Sequence, residues 1–191
     1  MRKYVVAALL AAGVATPAFA QDTQSFSGLR VEGLVGYDRA EVEDAGSDGI
    51  SYGVGVGYDM RAGGAVFGVE AEATESTVDE CVGGVEVTGD ELCAKLGRDL
   101  YVGGRAGALV GPNALLYAKA GYTNGRVKLD YDAPGTTADF SDSANLDGVR
   151  VGAGVEFGLG TNAYAKAEYR YSNYEQGFEK HQGVVGFGFR F

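Results

Sequence analysis

Side chains of opposite character alternate along most of this chain, and the period of two constrains the fold more than any other feature. Residues 50–60 read ISYGVGVGYDM, so Ile, Tyr, Val and Met fall on one face and Ser, Gly and Asp on the other. A strand places successive side chains on opposite faces, whereas a helix repeats every 3.6 residues. The same split recurs in residues 28–38, 65–74, 100–110, 115–123, 149–158, 163–172 and 183–191. The alternation predicts eight strands and no helix after residue 20.

The connections between these strands alternate in length. Residues 61–64, 111–113 and 159–162 are short and rich in turn formers, whereas 39–49, 76–98, 124–146 and 173–181 are long and acidic. Short connections at one end and long ones at the other indicate an eight-stranded antiparallel up-and-down β-barrel, an all-β fold. Residues 126–131 still alternate, which predicts that strand five projects past the barrel rim after a break at Asn124–Gly125.

The first twenty residues have the pattern of a secretory signal peptide. Arg2 and Lys3 precede an apolar stretch, and Ala18-Phe19-Ala20 supplies small residues for cleavage before Gln21. The apolar stretch is too short for a membrane-spanning helix. We therefore expect residues 1–20 to be removed and residues 21–191 to form one domain. Loss of two cations changes the formal net charge from −10 to −12, which disfavours nucleic acid as a partner.

The two cysteines, Cys81 and Cys93, lie in the part that is expected to be exported. In an oxidising compartment such a pair is most often a disulfide, and closing this loop would contribute about 3 kcal/mol. The single histidine, His181, is far away in sequence, so no metal site is expected. No cofactor is expected either.

The two-faced pattern suits either a soluble barrel with an apolar lumen or a membrane barrel with the faces reversed. The apolar face here consists of small residues with Tyr and Phe near the strand ends, as in the aromatic girdles of membrane barrels. The polar face carries seven cations and seven anions, although the whole chain is acidic. A low-dielectric interior requires such balance, because unpaired buried charge is costly. The predicted interior cations are Arg30, Arg105, Lys119, Arg150, Lys166, Arg170 and Arg190; the anions are Glu32, Asp38, Asp59, Glu70, Glu72, Glu156 and Glu168.

The segments GLRVEGLVGYD, YGVGVGYD, LYAKAGYT, VGAGVEFG, AKAEYRYS and VGFGFRF together make residues 26–191 resemble the small eight-stranded outer-membrane proteins. This group includes the OmpA transmembrane domain, OmpX and the opacity-like "porin family" barrels. The resemblance implies a location in the outer membrane, among lipid and lipopolysaccharide. It also implies that the barrel-assembly machinery reads the last strand through Phe187, Phe189 and Phe191. The peptidoglycan-binding domain of full-length OmpA-type proteins has no counterpart in this sequence.

Catalytic motifs are not evident. His181 is followed by Gln182 and Gly183, which does not match the His/Ser pattern of the lipid A deacylase. The favoured function is therefore a non-enzymatic outer-membrane barrel with a structural or surface-interaction role through its acidic extracellular loops, whose partner the sequence does not identify. The alternatives are a small porin or transport barrel, a lipid-modifying enzyme and a soluble periplasmic binding barrel.

Overall fold

The structure is a computed structural model and describes residues 26–42, 45–83, 91–132 and 140–191. The expected signal peptide lies outside these residues. The described residues form nine strands and one three-residue 3₁₀ turn, Glu175–Gly177, and include no α-helix, which agrees with the predicted all-strand fold. None of these residues belongs to a helix long and apolar enough to span a membrane. The strands are β1 (Gly28–Val42), β2 (Ala45–Ala62), β3 (Ala65–Ser76), β4 (Asp79–Gly83), β5 (Glu91–Leu109), β6 (Ala114–Asp132), β7 (Phe140–Leu159), β8 (Ala163–Tyr174) and β9 (Glu179–Arg190).

Eight of the strands close into an antiparallel up-and-down barrel, as the sequence predicts. Apart from β4, each strand pairs with the next barrel strand in the chain, so that β3 pairs with β5, and β1 pairs with β9 to close the barrel. The short strand β4 continues the line of β3 and pairs with β5 above the point where β3 ends. Closure satisfies the backbone groups of every barrel strand within the sheet, which is what a spanning structure needs in lipid.

Tight turns at 63–64, 110–113 and 160–162 connect strands at one end of the barrel, called here the short-turn end. Gly63 and Gly160 have φ values of 64° and 90°, a conformation that glycine adopts without steric cost. The opposite end, called here the extended end, differs from the expectation of long loops. β1 and β2 stay paired as far as Val42 and Ala45, and β5, β6 and β7 continue well past the barrel wall.

This continuation is called here the projecting sheet, and it consists of β4 with residues 91–98 of β5, 124–132 of β6 and 140–147 of β7. The prediction that the fifth barrel strand extends past the rim is confirmed. The predicted break at Asn124–Gly125 is wrong, because β6 pairs with β7 without interruption. The irregularity lies instead in β5, where the register with β6 shifts between Leu96 and Asp99.

The outer face of the barrel wall is apolar and the inner face is polar. Val54 is 63% exposed on the outside, whereas Arg30 is fully buried on the inside. Among the described residues, no Asp, Glu, Lys or Arg faces outward between Leu29 and Tyr37 on β1, or at the paired positions 50–58 of β2 and 183–189 of β9. Eight residue steps of ~3.3 Å, tilted by ~40°, make this apolar band about 20 Å tall before the rings are added, which matches a bilayer core.

Aromatic residues border the apolar band at both levels. Tyr37, Tyr52, Tyr122, Tyr169 and Tyr171 face outward near the extended end. Near the short-turn end the rings are mainly Phe, at 67, 157, 187, 189 and 191, with Tyr58. Rings at these two levels are typical of the interfacial girdles of membrane barrels.

Candidate functional site

The charged side chains point into the barrel and are buried there. All fourteen charged residues that alternation places on the inner face are at most 5% exposed. Two further buried charges, Asp99 and Lys180, raise the totals to eight cations and eight anions. The set comprises Arg30, Glu32, Asp38, Asp59, Glu70, Glu72, Asp99, Arg105, Lys119, Arg150, Glu156, Lys166, Glu168, Arg170, Lys180 and Arg190, and is called here the lumen network.

The part of the lumen network nearest the short-turn end is organised by Asp59. Its carboxylate receives hydrogen bonds from Arg105 at 2.5 and 2.9 Å and from Arg190 at 2.9 Å, and Arg30 Nε lies 3.2 Å away. Glu156 ties the same two arginines together, at 3.1 Å from Arg105 and 2.8 Å from Arg190. Five side chains from five different strands therefore cross-link the barrel wall at one level.

The middle of the lumen holds a belt of glutamates around two lysines. Lys119 Nζ lies 2.7 Å from Glu70, 2.8 Å from Glu72 and 3.1 Å from Glu168. Lys166 Nζ lies 2.7 Å from Glu32, which also accepts a hydrogen bond from Tyr164 Oη at 2.8 Å.

Two arginines complete this belt. Arg30 pairs with Glu32 and Glu70, and Arg170 pairs with Glu168 and with Glu72. Each interior cation at this level therefore contacts at least one carboxylate.

The level nearest the extended end is built around the two residues that sequence reasoning missed. Asp99 pairs with Arg150, lies 3.3 Å from Lys180, and accepts hydrogen bonds from Thr123 and Tyr174. Lys180 also lies 3.0 Å from Asp38.

Asp38 further accepts hydrogen bonds from Ser51, Ser76 and Gln182 at 2.6, 3.0 and 2.8 Å. Lys180 lies in the predicted connection 173–181, and Asp99 lies between the predicted connection 76–98 and the predicted strand that begins at residue 100. Each shares the sequence parity of the inward residues beside it, Tyr101 and Gln182, so continuing the alternation by one step would have found both.

Inward glycines provide the room that these long side chains occupy. A Cβ atom built on Gly57 would lie 2.7 Å from the Arg30 guanidinium, and one on Gly188 would lie 2.6 Å from the Tyr164 ring. A Cβ atom essentially never lies that close to a non-bonded heavy atom, so a larger residue would displace the charged or aromatic side chain. Glycine is therefore needed at these two positions, because the side chains of Arg30 and Tyr164 pass close to the backbone there.

An apolar cluster fills the lumen below the lowest charges. Phe26, Val66, Leu115 and Tyr117 are at most 3% exposed, and Leu109 packs against them. Phe26 precedes β1, and its ring lies 5.4 Å from the Arg190 guanidinium. Apolar side chains and cation–π contacts therefore separate the lumen network from the short-turn end.

The remaining predicted residues lie outside the lumen. Cys81 and Cys93 face each other across β4 and β5 and form a disulfide, as predicted. Phe187 and Phe189 face outward with ring centroids 5.3 Å apart, and Phe191 is 73% exposed. Their role as an assembly signal stays a prediction. His181, on β9, accepts or donates a 2.6 Å hydrogen bond with Tyr169.

Chemically, the lumen network can hold the wall together, because its buried charges neutralise one another across several strands. Two buried serines bond to this network: Ser51 donates to Asp38, and Ser172 accepts from Arg150. The single histidine, His181, lies beside Tyr169 and Tyr171 on the outer face of the wall, whereas these serines are on its inner face.

Comparison with known proteins agrees with this architecture. A family model described as "outer membrane protein beta-barrel domain" matches residues 6–191. A 22 kDa outer membrane protein of Rhizobium leguminosarum bv. viciae is 34% identical over 164 residues, which is 78% of this chain and 71% of that protein.

Two solved barrels share the fold at low sequence identity. The attachment invasion locus protein Ail of Yersinia pestis, in complex with the heparin analogue sucrose octasulfate, has a TM-score of 0.60 at 17% identity, covering 86% of this chain and 99% of its own. Neisserial surface protein A also has a TM-score of 0.60, at 16% identity, covering 86% of this chain and 98% of its own.

The matching family model, the rhizobial relative, the apolar outer band and the charge-filled lumen confirm the resemblance inferred from the sequence. The chain belongs to the outer membrane protein β-barrel domain family and lies in the cell outer membrane.

Proposed function

We propose that the protein is a non-enzymatic outer-membrane barrel with a structural and surface-interaction role, carried by the strands that rise above its extended end. The observation that carries the proposal is the filled lumen. Sixteen buried charges bind one another there, and an apolar cluster lies beneath them. An eight-stranded barrel has an interior just wide enough for side chains, so this packing leaves the wall rigid and the lumen blocked.

The porin alternative needs a continuous water path past Glu70, Glu72, Arg105 and Lys119. These groups contact one another or their neighbours directly: Lys119 bridges Glu70 and Glu72, and Arg105 bridges Asp59 and Glu156. Opening a path would separate buried ion pairs, and leaving one partner uncompensated costs about 3–5 kcal/mol.

The interaction role rests on the projecting sheet and the paired ends of β1 and β2. Backbone pairing extends to Glu91 and Asp132 in the projecting sheet and to Val42 and Ala45 between β1 and β2, so both regions are ordered ladders. In membrane barrels the short turns face the periplasm, which places the extended end outside the cell. A related fold, that of Ail, is known in complex with a heparin analogue, which supports external ligand binding as a use of this architecture.

Single-channel recording tests the blocked lumen. The refolded protein inserted in a planar bilayer should show no steady open level, whereas a sixteen-stranded porin inserted as a control should conduct. A stable open level from the unmodified protein would favour the porin alternative.

Mass spectrometry of lipid tests the absence of enzymatic activity. Lipid A and phospholipid incubated with the folded barrel should keep their masses, as they do with heat-unfolded protein. Loss or transfer of an acyl chain that requires the folded barrel would contradict a non-enzymatic role.

A further inference from the structure

The cations outside the lumen are concentrated in one place. Of the 16 Lys and Arg residues, Arg2 and Lys3 precede the described residues and eight belong to the lumen network. The other six lie outside the lumen network, and four of them are on β5 and β6 of the projecting sheet. These four are Lys95, Arg98, Arg126 and Lys128, called here the cationic patch.

The register of the sheet places the cationic patch on its outward face. Tyr122 and Asn124 face outward on β6, and Arg126 and Lys128 continue that parity. Lys95 is directly opposite Lys128 in the β5–β6 pairing. Like charges directly opposite each other destabilise a sheet unless an anion compensates them.

Compensation within the protein is incomplete. Every cation of the lumen network contacts a carboxylate, whereas Arg126 and Lys128 contact none in the part of the chain that the structure describes. Among the described residues, Arg98 donates a hydrogen bond to the side-chain oxygen of Asn124, at 3.4 Å, and makes no ion pair. The Nε atoms of Arg98 and Arg126 are buried and make no hydrogen bond within the described residues.

The acidic neighbours are already engaged. Asp130 lies 3.1 Å from Lys95. Asp147 accepts hydrogen bonds from Tyr122 at 2.5 Å and Asn124 at 2.6 Å, which hold the pKa of its carboxyl below the usual value. Asp79 is opposite Lys95 in the β4–β5 pairing. These carboxylates lie beside Lys95 and at the level of Asn124, and Glu75 is opposite Arg98 in the β3–β5 pairing. Among the described residues, none of these carboxylates contacts Arg126 or Lys128.

The level of the cationic patch relative to the apolar band indicates what could compensate it. Tyr122 ends the band on β6, and Asn124, Arg126 and Lys128 follow at about 5, 10 and 15 Å above it along a tilted strand. This is the headgroup zone of the outer leaflet. Long Lys and Arg side chains reach along apolar surface toward charged headgroups at such interfaces.

We propose that Arg98, Arg126 and Lys128, assisted by Lys95, bind the phosphate groups of a phosphorylated glycolipid in the outer leaflet. The guanidiniums suit phosphate because their planar donors match its oxygens, and each cation adds attraction to an anionic surface. The inference depends on the location in the outer membrane and is independent of the structural role proposed above, so the two can fail separately.

The test compares charge-matched variants of the full-length folded barrel. Arg126→Gln/Lys128→Gln removes two patch cations, and Arg39→Gln/Arg61→Gln removes two cations that belong to neither the cationic patch nor the lumen network. Native mass spectrometry of each refolded protein in detergent measures retention of bisphosphorylated lipid A across a titration. We expect the apparent affinity of the patch variant to fall about thirtyfold and that of the control to stay within about twofold. Heat-modifiable gel mobility verifies that all three proteins are folded.

Three results would overturn the inference. The patch variant could retain the affinity of the unmodified protein, or both variants could lose affinity equally, which would indicate net charge alone. The third result concerns the source of the anion. If heparin fragments bind more tightly than lipid A with the same dependence on Arg126 and Lys128, the ligand is a soluble polyanion and the assignment to lipid is wrong.

Discussion

At the scale of single residues, the barrel interior depends on carboxylates that are shared among several cations. Asp59 is fully buried and compensates Arg30, Arg105 and Arg190 together. Replacement by Asn keeps the shape and removes the charge, leaving three guanidiniums with only Glu70, Glu32 and Glu156 to compensate them. We expect Asp59→Asn to lower the free energy of unfolding by about 3–5 kcal/mol. Urea titration of the protein in lipid vesicles, followed by heat-modifiable gel mobility, measures the change.

The matched control for this substitution is Asp142→Asn, the same chemical change at an exposed position of the projecting sheet. It should alter the free energy of unfolding by less than about 0.5 kcal/mol. Equal effects at Asp59 and Asp142 would mean that the lumen network contributes no more to stability than a surface charge.

At the scale of elements, sequence alternation predicted the eight barrel strands and their faces, because lipid outside and charge inside impose period two. It did not predict where the strands end. Residues 140–147, FSDSANLD, contain polar side chains on both faces, and their strand structure comes from backbone pairing with β6 rather than from an amphipathic pattern. Asp99 and Lys180 were missed for the same reason, since each lies at the end of the apolar alternation.

The short strand β4 offers a separate test at this scale. The Cys81–Cys93 disulfide joins β4 to β5 in the projecting sheet, beyond the last β3–β5 pair at Glu75 and Arg98. We expect Cys81→Ser/Cys93→Ser to leave the unfolding midpoint of the barrel unchanged and to speed protease cleavage between residues 76 and 98. The loop-closure contribution of about 3 kcal/mol is local to this hairpin. Unfolding titrations and limited proteolysis in vesicles measure the two effects, and a lowered barrel midpoint would contradict this separation.

At the scale of the whole molecule, the charge is partitioned between two compartments. The lumen network is neutral, with eight cations and eight anions, so it contributes nothing to the formal net charge of −10. Such a partition cannot be read from composition, because it depends on which face each residue occupies. As a result, the charges in the lumen sum to zero, whereas the rest of the protein is strongly acidic. The cationic patch is the main exception outside the lumen.

Closure of the cylinder depends on β9 pairing with β1, and the aromatic residues of β9 offer the last test. Phe191 packs little against the protein, since it is 73% exposed. Its backbone N–H donates a hydrogen bond to the Leu29 carbonyl, which alanine at this position could also make. If the assembly machinery reads this ring, Phe191→Ala should strongly reduce the folded barrel in the outer membrane of cells. The same variant refolded in vitro should lose only about 1–3 kcal/mol, from the apolar surface of one ring. Phe67→Ala, which removes an outward ring at the same end from β3, should assemble in cells nearly as well as the unmodified protein. Equal assembly defects in the two variants would mean that the girdle stabilises the barrel and that Phe191 carries no signal of its own.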